Sequence, residues 1–298
     1  MLKKLVILSL VLVFNSLQAQ SNTGFVLLKM DVDARAAALA GAYSAVPNDA
    51  SAAFWNPAGL SLAENTTINV MHNDWLWDIS HSFAAVQFIQ GEHNLALSVN
   101  YLQIPGIAIR GTTPTDEPAG TSEAYNLALA LSYAREYEKD WHIGISVKYL
   151  FEKYYFVSAP GWALDLGLIR KNVFENLDWG ITLQNIGKMA ALDKQETPLP
   201  LMIRTGIAYQ IPELLDNNLR IISDLLWIKD EKMYVKFGLE YAISEYLVIR
   251  SGLKNGNENL LFTAGLGINY QSFHLDYAYA PFEYDLGSSN RISVGLSF

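Results

Sequence analysis

Strict alternation of apolar and polar residues, sustained through run after run, constrains this chain more than any other feature. Residues 93–103 set Leu95, Leu97, Val99 and Tyr101 on one face and Ala96, Ser98 and Asn100 on the other. Residues 141–151 alternate Ile143, Ile145, Val147 and Tyr149 with His142, Gly144, Ser146 and Lys148. Residues 234–241 repeat the pattern, with Val235, Phe237, Leu239 and Tyr241 against Lys236, Gly238 and Glu240. Side chains of a strand point to opposite faces in turn, so a period of two argues strand. Such runs lie near 66–73, 81–90, 93–104, 124–136, 140–152, 161–172, 176–187, 201–211, 218–229, 232–243, 246–254, 259–270, 272–280 and 290–298. They number about fourteen, each close to the ~9–11 residues that cross a bilayer at a tilt, and single-chain bacterial barrels carry an even count.

Alternation alone fits a soluble sandwich as well as a membrane barrel, and composition separates the two. Hydrophobic residues make up 51% of the 298-residue chain and charged residues 17%, against about a quarter charged in a soluble domain. Yet after the first residues no run approaches the ~20 apolar residues of a spanning helix. The polar face is dominated by Gly144, Gly167, Gly180, Gly206, Gly238, Gly265, Gly267 and Gly295. Charges of both signs are scattered among them: Lys148, Asp165, Arg204, Arg220, Asp224, Lys236, Glu240, Arg250, Asp276 and Arg291. A narrow lumen suits small side chains and paired charges, whereas the wet face of a sandwich is rich in Lys and Glu. The predicted fold is therefore all-β: a transmembrane antiparallel β-barrel with lipid against the apolar face and aromatic girdles near the strand ends. Segments 105–123 and 188–200, both with prolines, read as external loops. At the C-terminus Ile292, Val294, Leu296 and Phe298 share one face and the chain ends on the aromatic. That resembles the terminal signal read by barrel-assembly machinery.

Three segments follow. Residues 1–19 read as a signal peptide, with Lys3 and Lys4 ahead of an apolar stretch and Ala19 before the cut, which implies the outer membrane of a Gram-negative bacterium. Residues 20–65 are rich in alanine and predict a short helical plug in the lumen. One helix is expected from Asp33, as N-cap, to Ala40, with Gly41 as its stop. A second is expected from Asn48 or Asp49 to Trp55, ended by Asn56-Pro57. Residues 66–298 form the barrel. The net charge of −9 argues against a nucleic-acid partner. Zero cysteines exclude disulfides, thiol catalysis, Cys-bound zinc and lipid attachment at a cysteine. His72, His81, His93, His142 and His274 are too scattered for a metal site, and no Gly-x-Ser-x-Gly or phosphate loop occurs. No cofactor, metal or catalytic residue is expected, and no enzyme.

The stretch from Gly24 to Leu60 carries a family resemblance. It contains Arg35-Ala36, Gly41-Ala42, Asp49-Ala50-Ser51 and Trp55-Asn56-Pro57-Ala58-Gly59-Leu60. In order and spacing it resembles the N-terminal signature of the PorV/PorQ family of FadL-like outer-membrane barrels, although Ala40 stands where that family often has glycine. The resemblance implies a non-enzymatic barrel linked to type IX protein secretion or surface delivery of cargo, with other secretion-system proteins or secreted cargo as partners. The alternative is a FadL-like transporter of small hydrophobic compounds. Within the motif, Asn56-Pro57 ends a helix and Gly41 and Gly59 permit conformations that other residues resist. Arg35 and Asp49 are expected either to pair with each other or to bond lumen carboxylates and backbone.

Overall fold

The structure, a computed structural model, describes residues 24–112, 115–212, 218–255, 260–282, 284 and 286–298. The expected signal peptide lies outside the described residues. Fourteen antiparallel strands close into one barrel. They are β1 Thr67–Asp74, β2 Ser80–Gln90, β3 His93–Ile109, β4 Gly120–Glu138, β5 Trp141–Tyr154, β6 Val157–Phe174, β7 Leu177–Met189, β10 Met202–Gln210, β11 Leu219–Ile228, β12 Met233–Ala242, β13 Leu247–Asn255, β14 Leu260–Tyr270, β15 Phe273–Pro281 and β16 Ser288–Ser297. A two-stranded ribbon, β8 (Ala191–Leu192) with β9 (Gln195–Glu196), sits between β7 and β10. Every barrel strand pairs with its neighbours in the chain, and the seam is closed by β1 against β16, from Thr67↔Ser297 to Asp74↔Asn290. Closure leaves no strand edge, the condition for a sheet to sit in lipid.

The two faces are those read from the sequence. Leu95, Leu97 and Val99 of β3 and Leu129 and Leu131 of β4 are exposed on the outside. Rings bracket this band: Tyr101, Tyr125 and Phe151 stack in sequence at 5.8 and 5.9 Å. His93 stacks on Tyr133 at 5.9 Å at the opposite end. Apolar residues between two aromatic girdles are the signature of a lipid-facing wall. Connections at one end are tight turns, as at Gly91 (φ 62) and Asp140 (φ 64). The opposite end carries segments 110–119 and 190–201. By the asymmetry of outer-membrane barrels the turn end faces the periplasm and the loop end the exterior.

Two expectations change. The loop expected over 105–123 is shorter, because β3 runs on to Ile109 and β4 starts at Gly120. Pro105 and Gly106 (φ 69) are absorbed as a bulge, where the register shifts between Ile104 and Ile107. Proline has no N–H to give a ladder, and a bulge is where a sheet tolerates one. The loop over 188–200 likewise begins inside β7 and contains the ribbon.

The barrel is filled. Residues 24–62 lie inside it and are mostly buried. A 3-10 turn, Val26–Lys29, leads to helix Ala34–Ala38. Ala40 (φ 55) and Gly41 (φ 73) then take left-handed conformations, with Gly41 N–H donating to Ala36 O at 2.9 Å, a C-terminal closure of the Schellman kind. Asp33 precedes this helix but makes no capping hydrogen bond, because its φ is 66°. The second helix is shorter than expected, Ala52–Trp55, and Asp49 accepts hydrogen bonds from Ser51 N (2.8 Å) and Oγ (2.5 Å) at its start. After Asn56 the chain continues as a 3-10 helix, Pro57–Leu62, which the sequence did not foreshadow.

Candidate functional site

The lumen divides into a seat, a polar mouth and an apolar chamber. The seat explains the small residues of the inner face. A side chain on Gly144 or Gly167 would collide with the Asn56-Pro57-Ala58 segment, one on Gly180 with Ser44, and one on Gly252 with Leu39 and Ala40. The glycines therefore let the plug backbone lie against the wall, a tighter role than leaving an open pore. Wall side chains complete the backbone hydrogen bonds of the plug. Gln87 donates to Leu60 O (2.6 Å), Gln184 to Phe54 O (2.5 Å) and Thr263 to Ala38 O (2.8 Å). Ser293 Oγ accepts from Ala34 N (2.7 Å) and Thr67 Oγ1 from Ala50 N (2.9 Å). A buried peptide group without a partner costs on the order of 1–3 kcal/mol, so these contacts specify one seating of the plug.

The motif residues hold that seating. Asn56 Nδ2 donates to Ser44 O at 2.8 Å and reaches Leu168 O and Ile181 O of the wall at 3.3 and 3.4 Å. Trp55 donates to Val32 O at 3.1 Å, and Arg204 (4.9 Å) and Lys236 (5.9 Å) stand over its electron-rich ring. Gly59 packs against Pro47 and Gly41 against Asp31 and Lys236. Asp224 Oδ2 accepts from Tyr43 N (3.0 Å), from Ser44 N (2.9 Å) and from Ser44 Oγ.

The expected lumen charges all point inward. At the turn end Arg35 donates to Glu240 (2.8 and 3.0 Å) and to Asn48 (2.8 Å). Arg35 thus takes a wall carboxylate in place of Asp49. Arg250 joins Glu240 (2.7 Å) and Asp276 (2.5 Å), and Arg220 approaches Glu240 at 3.6 Å. This network borders a polar cavity of about 610 Å³ opening between plug and wall. Higher in the barrel Lys148 pairs with Asp165 at 2.5 Å and donates to Asn185 at 2.8 Å. Arg204 donates to Gln184 at 2.8 Å. Arg291 stands opposite Asn73 across the β1–β16 seam, and its Nε has no hydrogen-bond partner. Phe298 is exposed, with its N–H on Thr66 O at 3.0 Å.

Of two buried plug carboxylates, the sequence reading named Asp33 only as a helix cap and did not name Asp31. Burial raises the Asp31 carboxyl, but Lys236, then Lys254, Arg291 and Arg204, outweigh it and hold it at about 2. Burial, reinforced by Asp49 and Asp276, pushes Asp33 up to about 7. Neither sits in an alternating run, so parity gave no signal for them. Gln87, Gln184, Thr263 and Ser293 do lie in alternating runs on the inward parity, and the rule that buried polar groups must be paired is the signal that singles them out.

The loop end is different in kind. Leu102, Ala128, Leu150, Ala159, Ala163 and Met189 of the wall enclose an apolar chamber, filled from within by Phe25, Leu27, Leu28 and Met30. Trp75, Ile79, Leu192 and Leu199, partly buried, pack against it. The filling segment is tied outward by Gly24 N–H to Pro198 O (3.0 Å) and by Lys29 to Glu231 (2.9 Å). Among the described residues no cluster of His, Asp or Glu suits a metal ion.

No family model and no curated protein matches the chain. Solved structures do. The Ralstonia pickettii toluene transporter TbuX superposes with a TM-score of 0.64 at 14% identity, covering 90% of this chain and 98% of its own. The Pseudomonas putida toluene transporter TodX gives 0.64 at 12%, covering 94% and 98%. The monoaromatic hydrocarbon channel CymD gives 0.63 at 13%, covering 92% and 99%. At such identities the likeness speaks for architecture alone: the chain shares the closed β-barrel fold of these transporters and channels.

Proposed function

We propose that this protein is an outer-membrane channel for small hydrophobic compounds, with the N-terminal segment as its plug. The apolar chamber at the loop end carries the reading. A pore for ions or sugars needs a wet passage, but here the outer end of the lumen is closed by aliphatic and aromatic side chains. Apolar walls with few polar groups are what a hydrophobic ligand requires. The likeness to channels named for toluene and monoaromatic hydrocarbons agrees with this over 90% or more of the chain. Nothing in the comparisons favours the type IX secretion reading over it.

A side exit fits the same reading. The β6–β7 register breaks between Leu164 and Leu166, with Asn185 at φ 64, next to the chamber residues Ala163 and Met189. A bulge twists a strand and opens its ladder locally, so an apolar compound leaves the chamber there without crossing the polar mouth. The test is uptake of labelled toluene into vesicles whose outer leaflet is lipopolysaccharide. Vesicles bearing the barrel take it up faster than empty ones; equal rates overturn the proposal.

A further inference from the structure

The lipid side of β1 changes character within one strand. Ile68 and Val70 are followed on the same face by His72 and Asp74, since side chains two apart along a strand share a face. Across the β1–β2 ladder Ser82 is the register partner of His72, and Ser80 that of Asp74. Ser82 Oγ stands 2.9 Å from His72 Nδ1, and His72 Nε2 stands 3.2 Å from Asp74 Oδ1. A hydroxyl, an imidazole and a carboxylate are thus joined in a line through the two ring nitrogens. Nε2–H donates to the Asp74 carboxylate, which leaves Nδ1 as the basic nitrogen facing Ser82. In that arrangement the imidazole takes the hydroxyl proton, while the carboxylate beyond it orients the ring and stabilises the imidazolium.

The cluster is open to the membrane and set at a defined depth. The His72 and Asp74 side chains are 57% and 89% exposed, so a substrate reaches them from the side of the barrel. Ser82 is also the register partner of Tyr101 on β3, and Tyr101 belongs to the stack with Tyr125 and Phe151 at the loop end of the apolar band. Aromatic girdles sit at headgroup level, which is where the acyl chains of a lipid end in their ester bonds. On the membrane side of the cluster lie Val70 and its register partner Val294, both exposed. On the headgroup side Asp74 is paired with the exposed Asn290. An apolar shelf for chains and a polar rim for a headgroup place an ester carbonyl beside Ser82.

We infer that Ser82, His72 and Asp74 form an esterase site on the outer wall of the barrel, and that its substrate is an acyl ester of a lipid in the outer leaflet. Ser82 Oγ attacks the ester carbonyl carbon as its proton passes to His72 Nδ1. The bond from that carbon to the alcohol oxygen breaks, and the leaving alcohol takes the proton from His72. Water then attacks the acyl-serine with His72 again as base, which releases the fatty acid and restores the Ser82 hydroxyl. Ser82 and His72 are the catalytic residues. Asp74, which acts through His72, is a positioning residue. The site faces away from the lumen, so it stands apart from the channel reading.

The test is release of labelled fatty acid by the purified protein, inserted in phosphatidylethanolamine vesicles and, separately, in vesicles whose outer leaflet is lipopolysaccharide, each labelled in its acyl chains. The two arms show which lipid supplies the ester. The protein releases fatty acid from at least one of them, and a fluorophosphonate probe attaches to Ser82. Ser82→Ala and His72→Gln lower release about a hundredfold or more, the share that a nucleophile and its base contribute, and both abolish labelling. Asp74→Asn lowers kcat about tenfold or more and leaves KM unchanged. Ser80→Ala, a neighbouring hydroxyl on the same face, leaves the rate as it was. These side chains point away from the plug, and heat-dependent gel mobility shows that each variant is folded. Release from neither lipid, equal rates for the wild type and Ser82→Ala, or an equal loss in Ser80→Ala and Ser82→Ala overturns the inference.

Discussion

At the residue scale, single polar groups fix the plug to the wall. Asp224 is the sharpest case, since one carboxylate oxygen takes the Tyr43 and Ser44 amides and the Ser44 hydroxyl. Asp224→Ala leaves these buried donors unpaired and is expected to cost roughly 3 kcal/mol, read as a lower urea midpoint for unfolding of the vesicle-inserted barrel. Asp33 makes the complementary prediction. Its carboxyl is raised to about 7 in the folded protein, against about 4 when unfolded. The folded state therefore favours the protonated form. That stability is complete below about pH 4 and is lost as pH rises towards 7. Asp33→Asn, which has no charge to bury, removes the decline, and urea titrations at several pH values show it; an unchanged profile counts against the buried carboxyl. Ala40 bears on the backbone itself. It sits at φ 55, a region that costs a residue with a Cβ roughly 1–2 kcal/mol, and Ala40→Gly is expected to raise the urea midpoint.

At the element scale, alternation made the strands legible almost to the residue. The runs read at 81–90 and 259–270 become β2 Ser80–Gln90 and β14 Leu260–Tyr270. The departures have local causes. β3 and β4 run on past the girdle because a bulge at Pro105-Gly106 lets a proline into a ladder. The 3-10 helix Pro57–Leu62 has no period of its own; Asn56 and the glycine-lined wall shape it. The 3-10 turn Val26–Lys29 is likewise defined by what it packs against. Leu28→Ala in that turn opens a cavity in the outer chamber. It is expected to cost about 2–5 kcal/mol and to increase binding of an apolar fluorescent probe, and unchanged probe binding would show that the chamber is inaccessible from outside.

At the scale of the whole molecule, a filled lumen governs behaviour. The plug segment 24–62 is mostly buried inside the wall, with the polar cavity between plug and wall at the turn end. The protein in a planar bilayer is therefore expected to show no steady ion conductance, and a porin-like current would contradict the plugged lumen. Glu240→Gln weakens the one carboxylate shared by Arg35, Arg220 and Arg250. It is expected to bring brief conducting events at the turn end, where the plug is latched by charge.

Periodicity and composition were enough to point to a closed antiparallel barrel of about fourteen strands and to the face that meets lipid. Each of these follows from local rules: side chains alternate along a strand, and lipid tolerates only apolar faces on a sheet without edges. What the lumen contains was settled by tertiary structure. Whether an inward glycine widens a pore or seats a backbone depends on what lies across from it, as Gly144 and Gly167 show with Asn56-Pro57-Ala58. Whether Arg35 meets Asp49 or Glu240, and whether Asp31 finds Lys236, depends on residues some two hundred positions away in sequence. Such pairings leave no mark on a local pattern, because only barrel closure brings them together.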